Sequence, residues 1–147
     1  MELTVLYEDN DIIAFLKPYG VASEGKNPNI TELLRAYWQK EEAYVGIVHR
    51  LDVTTMGVMI AAKNKSAAAA LSKQIADGNF HKTYFAAVEG APEENGEWTD
   101  YLFKDSRKNK VYPVKSARKG AKEAKLTYRV MARAETQKGV HSLVKVE

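Results

Sequence analysis

The 147-residue chain has no cysteine, so it can form no disulfide and can hold no metal through thiolates. That suits a reducing compartment. It also lacks any apolar run near the roughly 20 residues that a membrane-spanning helix needs. Met1-Glu2-Leu3-Thr4 has neither the basic start nor the apolar core of a signal peptide. Cytoplasm is therefore the expected location, with no membrane partner. The three histidines, His49, His81 and His141, are scattered, which argues against a histidine metal site. A phosphate-cradling glycine loop, a Gly-x-Ser-x-Gly elbow and a His-Glu-x-x-His helix are all missing. What is present is ordinary: 45% hydrophobic and 28% charged residues place the chain among globular domains that need no staple to hold a core.

The net charge of +3 hides an asymmetry. Residues 107–125 hold eight Lys or Arg against a single acid, Glu123, so this stretch is strongly basic and the remainder is net acidic. Two readings stand at this point: a footprint for a polyanion, or a solvated, mobile loop.

No repeat, low-complexity tract or long linker divides the chain, so residues 1–147 are expected to form one domain. Val5–Tyr7 and Ile12–Leu16, separated by Glu8-Asp9-Asn10-Asp11, predict a hairpin. Lys17-Pro18-Tyr19-Gly20 ends the second strand, since proline cannot donate to a ladder. Asn29 caps a helix expected over about residues 30–41, whose stripe of Ile30, Leu33, Leu34, Tyr37 and Trp38 reads as core. Strands are expected at Val45–Val48 and Val58–Ala62. A second helix, capped by Asn64 or Ser66, should run to about Ala76 with Ala67, Leu71 and Ile75 on one face and Asp77-Gly78 as its stop.

Further strands are expected at Thr83–Val88 and Trp98–Phe103, with a turn at Glu93–Gly96 between them. Val111–Val114 reads as an edge strand because it contains Pro113. Leu126–Ala132 and Ser142–Val146 alternate well. Strands outnumber helices without alternating with them, which predicts an α+β fold with a largely antiparallel or mixed sheet and a few flanking helices.

The stretch with most chemical content is His49-Arg50-Leu51-Asp52, lying between two apolar runs and followed by Thr54-Thr55 and Gly57. Arg50 and Asp52 can share one face of an extended segment, and their pairing would keep the carboxylate ionised. The residues alone favour a structural ion pair near a sheet edge.

The run His49-Arg50-Leu51-Asp52-Val53-Thr54-Thr55-Met56-Gly57 through Ala62-Lys63-Asn64 resembles the signature of RluA-type pseudouridine synthases. Three further segments resemble that family in the same order. They are Asp11-Ile12-Ile13 through Lys17-Pro18-Tyr19-Gly20, Lys82-Thr83-Tyr84 through Val88-Glu89-Gly90, and Lys122 to Arg133 with its Ala-x-x-x-Tyr-x-Val pattern. The resemblance spans nearly the whole chain.

It implies a pseudouridine synthase catalytic-domain fold and an isomerase that turns uridine in rRNA or tRNA into pseudouridine, with no cofactor and no metal. The aspartate matching Asp52 would be the nucleophile, attacking a flipped-out nucleotide at either the ribose C1′ or the base. The residue matching Tyr84 would stack on the target base and is a candidate for proton abstraction. Arg50 would help displace the nucleotide. His49, Lys17 and Lys82, with Arg107, Lys108 and Lys110 of the basic stretch, are expected to contact substrate or RNA. The partner would be structured RNA, and a monomer is favoured.

Departures are visible. Val53 stands where many relatives carry Arg or Lys, and Met56 where Ser, Thr or Gly is common. Family members continue past the strand matching Leu143–Glu147 into a Gly-Arg-x-His-Gln-Ile-Arg segment that gives the aspartate a basic partner. The alternating pattern here runs to Glu147 without a turn. A C-terminally truncated catalytic domain is therefore expected, with weak or no turnover by residues 1–147 alone. The rival readings are a non-catalytic RNA-binding module and an inactive fragment.

Overall fold

A computed structural model describes residues 3–108 and 110–147. The chain divides into two compact units, residues 1–80 and 81–147. The fold is α+β, and every strand-to-strand pairing given by the structure is antiparallel.

The first unit holds a four-stranded sheet of order β1-β2-β4-β3, made of β1 (Thr4–Glu8), β2 (Ile12–Lys17), β3 (Gly46–Ile47) and β4 (Gly57–Ala62). The expected hairpin is β1–β2, turned by Asp9, whose Oδ1 accepts from the amides of Asp11 and Ile12 at 2.8 and 2.7 Å. Alternation along β2 sends Ile13, Phe15 and Lys17 to one face. Their partners on β4 are Ala61, Met59 and Gly57, so these rows form the floor of the core. Helix α1 (Ile30–Trp38) supplies Ile30 and Leu34, and Val21 and Leu3 close the cluster.

Asn29 caps α1 as expected, its Oδ1 accepting from the Glu32 amide at 3.0 Å. The helix stops at Trp38, three residues before the expected end. Gln39 turns left-handed (φ 54°), and the amides of Gln39 and Lys40 close back on Ala36 and Arg35. Trp38 packs on the core edge, as expected, and donates its indole N–H to Glu8, but Tyr37 is exposed, contrary to expectation. Helix α2 (Lys65–Ala76), capped by Asn64, half-buries the predicted stripe of Ala67, Leu71 and Ile75. It lies close to β3, where a Cβ on Gly46 would meet Ala62 and Ala68 at about 3 Å.

The second unit is a five-stranded sheet of order β5-β9-β8-β6-β7, with β5 (Tyr84–Glu89), β6 (Asn95–Asp105), β7 (Lys110–Val114), β8 (Ala121–Thr136) and β9 (Gly139–Val146). The strand holding Pro113 is at the edge, as its sequence requires. β8 is far longer than predicted. A bulge between Val130 and Ala132 shifts its register on β9, so Val130 is buried opposite Val144 while Ala132, expected on the same face, is exposed. Tyr128, Val130 and Val144 form the buried cluster of this sheet.

The turn expected at Glu93–Gly96 is shorter than predicted, because Asn95 and Gly96 already pair with Arg129 and Tyr128. Gly96 is there for room. A Cβ at that position would lie 2.8 Å from Tyr128 Cε1 and 2.9 Å from its hydroxyl, and Tyr128 packs on Trp98 with ring centroids 4.3 Å apart. Gly96→Ala should therefore push Tyr128 off Trp98 and cost about 1–3 kcal/mol. Thermal denaturation followed by tryptophan fluorescence checks this, and an unchanged midpoint would refute it.

Candidate active site

The segment from Val48 to Met56 leaves the sheet between β3 and β4. The ladder ends where His49 intervenes. Gly46 and Ile47 pair with Ala62 and Ala61, but the next amide, that of Ile60, donates to Nε2 of His49 at 3.0 Å. A side chain has taken the place of a strand carbonyl, and the backbone is free to turn away. That nitrogen accepts, so it carries no proton. The ring also lies 5.0 Å from that of Phe80.

Beyond His49, Arg50 and Asp52 are exposed. The expected ion pair between them is not among those the described residues form. The reason is local: residues 50–52 are irregular and lead into a turn closed by the Thr55 amide on the Asp52 carbonyl at 2.9 Å. The i, i+2 geometry of a strand therefore does not apply.

The charge of Asp52 is felt instead by Lys17, where it works against the lowering by burial. Lys17 is fully buried, and its ammonium donates to the carbonyls of Val21 at 2.7 Å and Pro18 at 3.0 Å, with a longer contact to Val53 at 3.5 Å. The expected RNA contact by Lys17 is thus corrected. An ammonium enclosed by three carbonyls offers nothing to a phosphate; it braces the loop from behind. Gly20 adds to this brace by donating its amide to the Val53 carbonyl at 2.8 Å. On the other side of Asp52, the Ser23 hydroxyl holds both main-chain groups of Leu51. The sequence reading missed Ser23 altogether.

The remaining candidates lie in the second unit. Tyr84 opens β5 opposite Val146 and is 39% exposed, which leaves its ring accessible. Lys82 is exposed just before that strand. Arg107 and Lys108 sit exposed in the β6–β7 turn, their amides bonded to Asp105 Oδ1, and Lys110 starts β7. The basic stretch is therefore a hairpin and the strand after it, where a mobile loop was one of the two readings.

Its charges do not gather on one side. Register puts Lys110 and Lys125 on the face of Phe103, and Lys122 opposite Leu102 on the other. Arg118 stacks over Phe103 at 4.5 Å. β5 and β7 are the two edges of the sheet; Tyr84 lines up with Gly96 and Lys110 with Asp105, so four strand spacings across the sheet, about 19 Å, and nine residues along it, about 30 Å, separate Tyr84 from Lys110.

A family model described as RNA pseudouridylate synthase matches residues 11–147. The chain belongs to this family. Its relatives place it on the RluA-type branch. A dual-specificity RNA pseudouridine synthase RluA of Vibrio vulnificus is 38% identical over 97 residues, covering 65% of this chain and 39% of that protein. Ribosomal large subunit pseudouridine synthase D of Borreliella burgdorferi is 31% identical over 144 residues, covering 88% of this chain and 43% of that protein. Among solved structures, human RNA pseudouridylate synthase domain containing 1 superposes with a TM-score of 0.83 at 19% identity, over 99% of this chain and 58% of that one. At that identity the likeness concerns the fold. The chain spans about two fifths of the length of these curated relatives.

In this member of the family the buried ammonium has a measurable signature. Burial pushes Lys17 below the ordinary lysine value, and the charge of Asp52 works against that shift. Between the lowered and the ordinary value the unfolded chain binds more protons than the folded one, so stability rises with pH across that window. Chemical denaturation at stepped alkaline pH should show wild type gaining on Lys17→Met as the pH approaches the unfolded lysine value of about 10.4. A difference that stays flat would mean that folding does not penalise this cation.

Proposed function

We propose that the chain belongs to an RNA-modifying isomerase that converts uridines of rRNA or tRNA to pseudouridine, with Asp52 as nucleophile. The observation that carries this reading is the placement of Asp52. It projects an exposed carboxylate from a loop whose preceding and following residues are both fixed by hydrogen bonds to the chain after β2.

The reaction exchanges the bond from C1′ to N1 of the base for one from C1′ to C5. Asp52 attacks the flipped-out nucleotide at C1′ or on the base, the base detaches and turns, C5 rejoins the sugar, and the bond to Asp52 breaks to return the free carboxylate. The hydrogen on C5 is lost and N1 gains one, so the atoms balance without a cofactor. Tyr84 is proposed to stack on the base and is a candidate for taking the C5 proton. Arg50, exposed beside Asp52, is proposed to fill the gap left by the flipped nucleotide. His49 is proposed to shape the substrate side of the loop. Lys82, Arg107, Lys108 and Lys110 are proposed to hold phosphates. Residues 1–147 are read as part of one catalytic domain, a monomer in the cytoplasm.

Deleting the gene should remove one or more pseudouridines from the organism's rRNA or tRNA. The wild-type gene should restore them and Asp52→Asn should not, with turnover down at least roughly 10⁴-fold. Unchanged pseudouridine maps in the deletion, with RNA binding intact, would favour a non-catalytic binding module.

The basic hairpin makes a separate prediction. If Arg107 and Lys108 each contact a phosphate, Arg107→Ala and Lys108→Ala should weaken binding to all RNAs about equally and lower the slope of log affinity against log salt by about 1 each. An unchanged slope would remove these two residues from the RNA interface.

A further inference from the structure

We infer that Ser23 is a positioning residue for the nucleophile, fixing Asp52 through the main chain of Leu51. This rests on the reading of Asp52 proposed above. Ser23 is 5% exposed, so its hydroxyl has no water to turn to. The hydroxyl donates to the Leu51 carbonyl at 2.7 Å and accepts from the Leu51 amide at 3.1 Å. One side chain thereby satisfies both backbone groups of the residue directly before Asp52, across a sequence gap of 28 residues. It acts as a neighbouring strand would, but at a single point. Met59 Sδ, 3.7 Å from the same oxygen, packs against it, since the single hydroxyl proton is already given to the closer carbonyl.

The other side of Asp52 has its own anchor. The Val53 carbonyl takes the Gly20 amide at 2.8 Å and faces the Lys17 ammonium. The Asp52 carbonyl accepts from Thr55 at 2.9 Å. With Leu51 and Val53 both held, the Asp52 backbone has little freedom, and the direction of its Cα–Cβ bond is set. A nucleophile displaced by about 1 Å can lose about a hundredfold in rate, so such a restraint belongs in kcat and not in binding. Without Ser23, the Val53 anchor alone leaves the preceding peptide free to rotate, and a part-buried amide and carbonyl lose their partner.

Three variants separate positioning from mere packing. Ser23→Ala removes the hydroxyl, Ser23→Cys keeps the volume with a weak donor, and Ser23→Thr keeps the hydroxyl. We expect kcat to fall about 10- to 100-fold in Ser23→Ala and Ser23→Cys with KM changed less than about threefold, and Ser23→Thr to recover most of it. Hydrogen exchange should quicken in peptides covering residues 50–55 of Ser23→Ala and Ser23→Cys while those covering β4 keep their protection. A kcat that stays at the wild-type level in Ser23→Ala overturns the positioning role, as does a loss of kcat that Ser23→Thr fails to recover. Unchanged exchange over residues 50–55 overturns the tether itself. These assays use the protein made from the whole gene; were its wild type to make no pseudouridine, the reading of Asp52 as a nucleophile would fail, and with it the positioning role, while exchange would still decide whether Ser23 holds the loop.

Discussion

The arrangement around Asp52 depends on one buried charge. β2 alternates Ile13, Phe15, Lys17 toward the core, so the third inward position holds an ammonium where a methyl group would be cheaper to bury. That charge can be kept only if carbonyls surround it. Pro18 and Val21 supply two by curling the chain back around the end of the strand, and Val53 supplies the third from 36 residues away. Satisfying Lys17 therefore does two things at once: it folds the turn after β2 and it draws the loop of Asp52 toward that turn. Asp52 in turn contributes negative charge that offsets part of the cost of burial. An apolar side chain at position 17 would be easier to desolvate, yet it would take this donor from the Pro18 and Val21 carbonyls and leave the loop braced on this side by the Gly20 amide alone.

The second constraint is where the ladder stops. β3 is only two residues long because the Ile60 amide is taken by an imidazole instead of by the main chain. A longer β3 would hold residues 48–50 flat against β4 and carry Asp52 along the sheet edge. With His49 in place, the chain departs from the sheet two residues after Ile47, and the loop becomes available to Ser23, Gly20 and Lys17. His49 thus contributes to the site through the shape it imposes on the backbone, whatever it also offers to a substrate.

These devices explain what could be read in the sequence and what could not. The hairpin, both helix caps and the edge strand with Pro113 were legible because each follows from neighbouring residues: an Asp-rich turn, an asparagine before an apolar stripe, a missing amide. Lys17 escapes notice because the apolar run ends at Leu16, one residue before it. Counting one step further puts Lys17 in phase with Ile13 and Phe15, which is the signal that it faces inward. Ser23 left no such signal, since a serine in a connecting segment looks like any loop residue until Leu51 is brought to it. Tyr37 fitted the helical stripe but fell on its margin, where α1 stops one residue later. Asp52 itself stands out only through the ordered resemblance of four segments, and the ion pair that its spacing from Arg50 implies is not among those the described residues form.

The second unit poses a simpler problem with a consequence for Tyr84. Its five strands form one sheet, and alternation decides which side each residue takes. Tyr84, Ala86 and Val88 fall on the face of Val144, Val130 and Tyr128, while Phe85 falls on the opposite face with Lys145 and Arg129. The apolar face thus ends, at the start of the edge strand β5, in an aromatic ring bearing a hydroxyl. A base stacking on Tyr84 would meet the continuation of that apolar face, and the charged neighbours Arg129 and Lys145 would be behind the sheet. Stacking on an apolar surface removes water from both partners, whereas the cationic face would draw phosphates. The register of β5 against β9 is therefore as decisive for Tyr84 as the Lys17 turn is for Asp52. A slip of one residue would turn Phe85 to the apolar side and carry Tyr84 to the charged side.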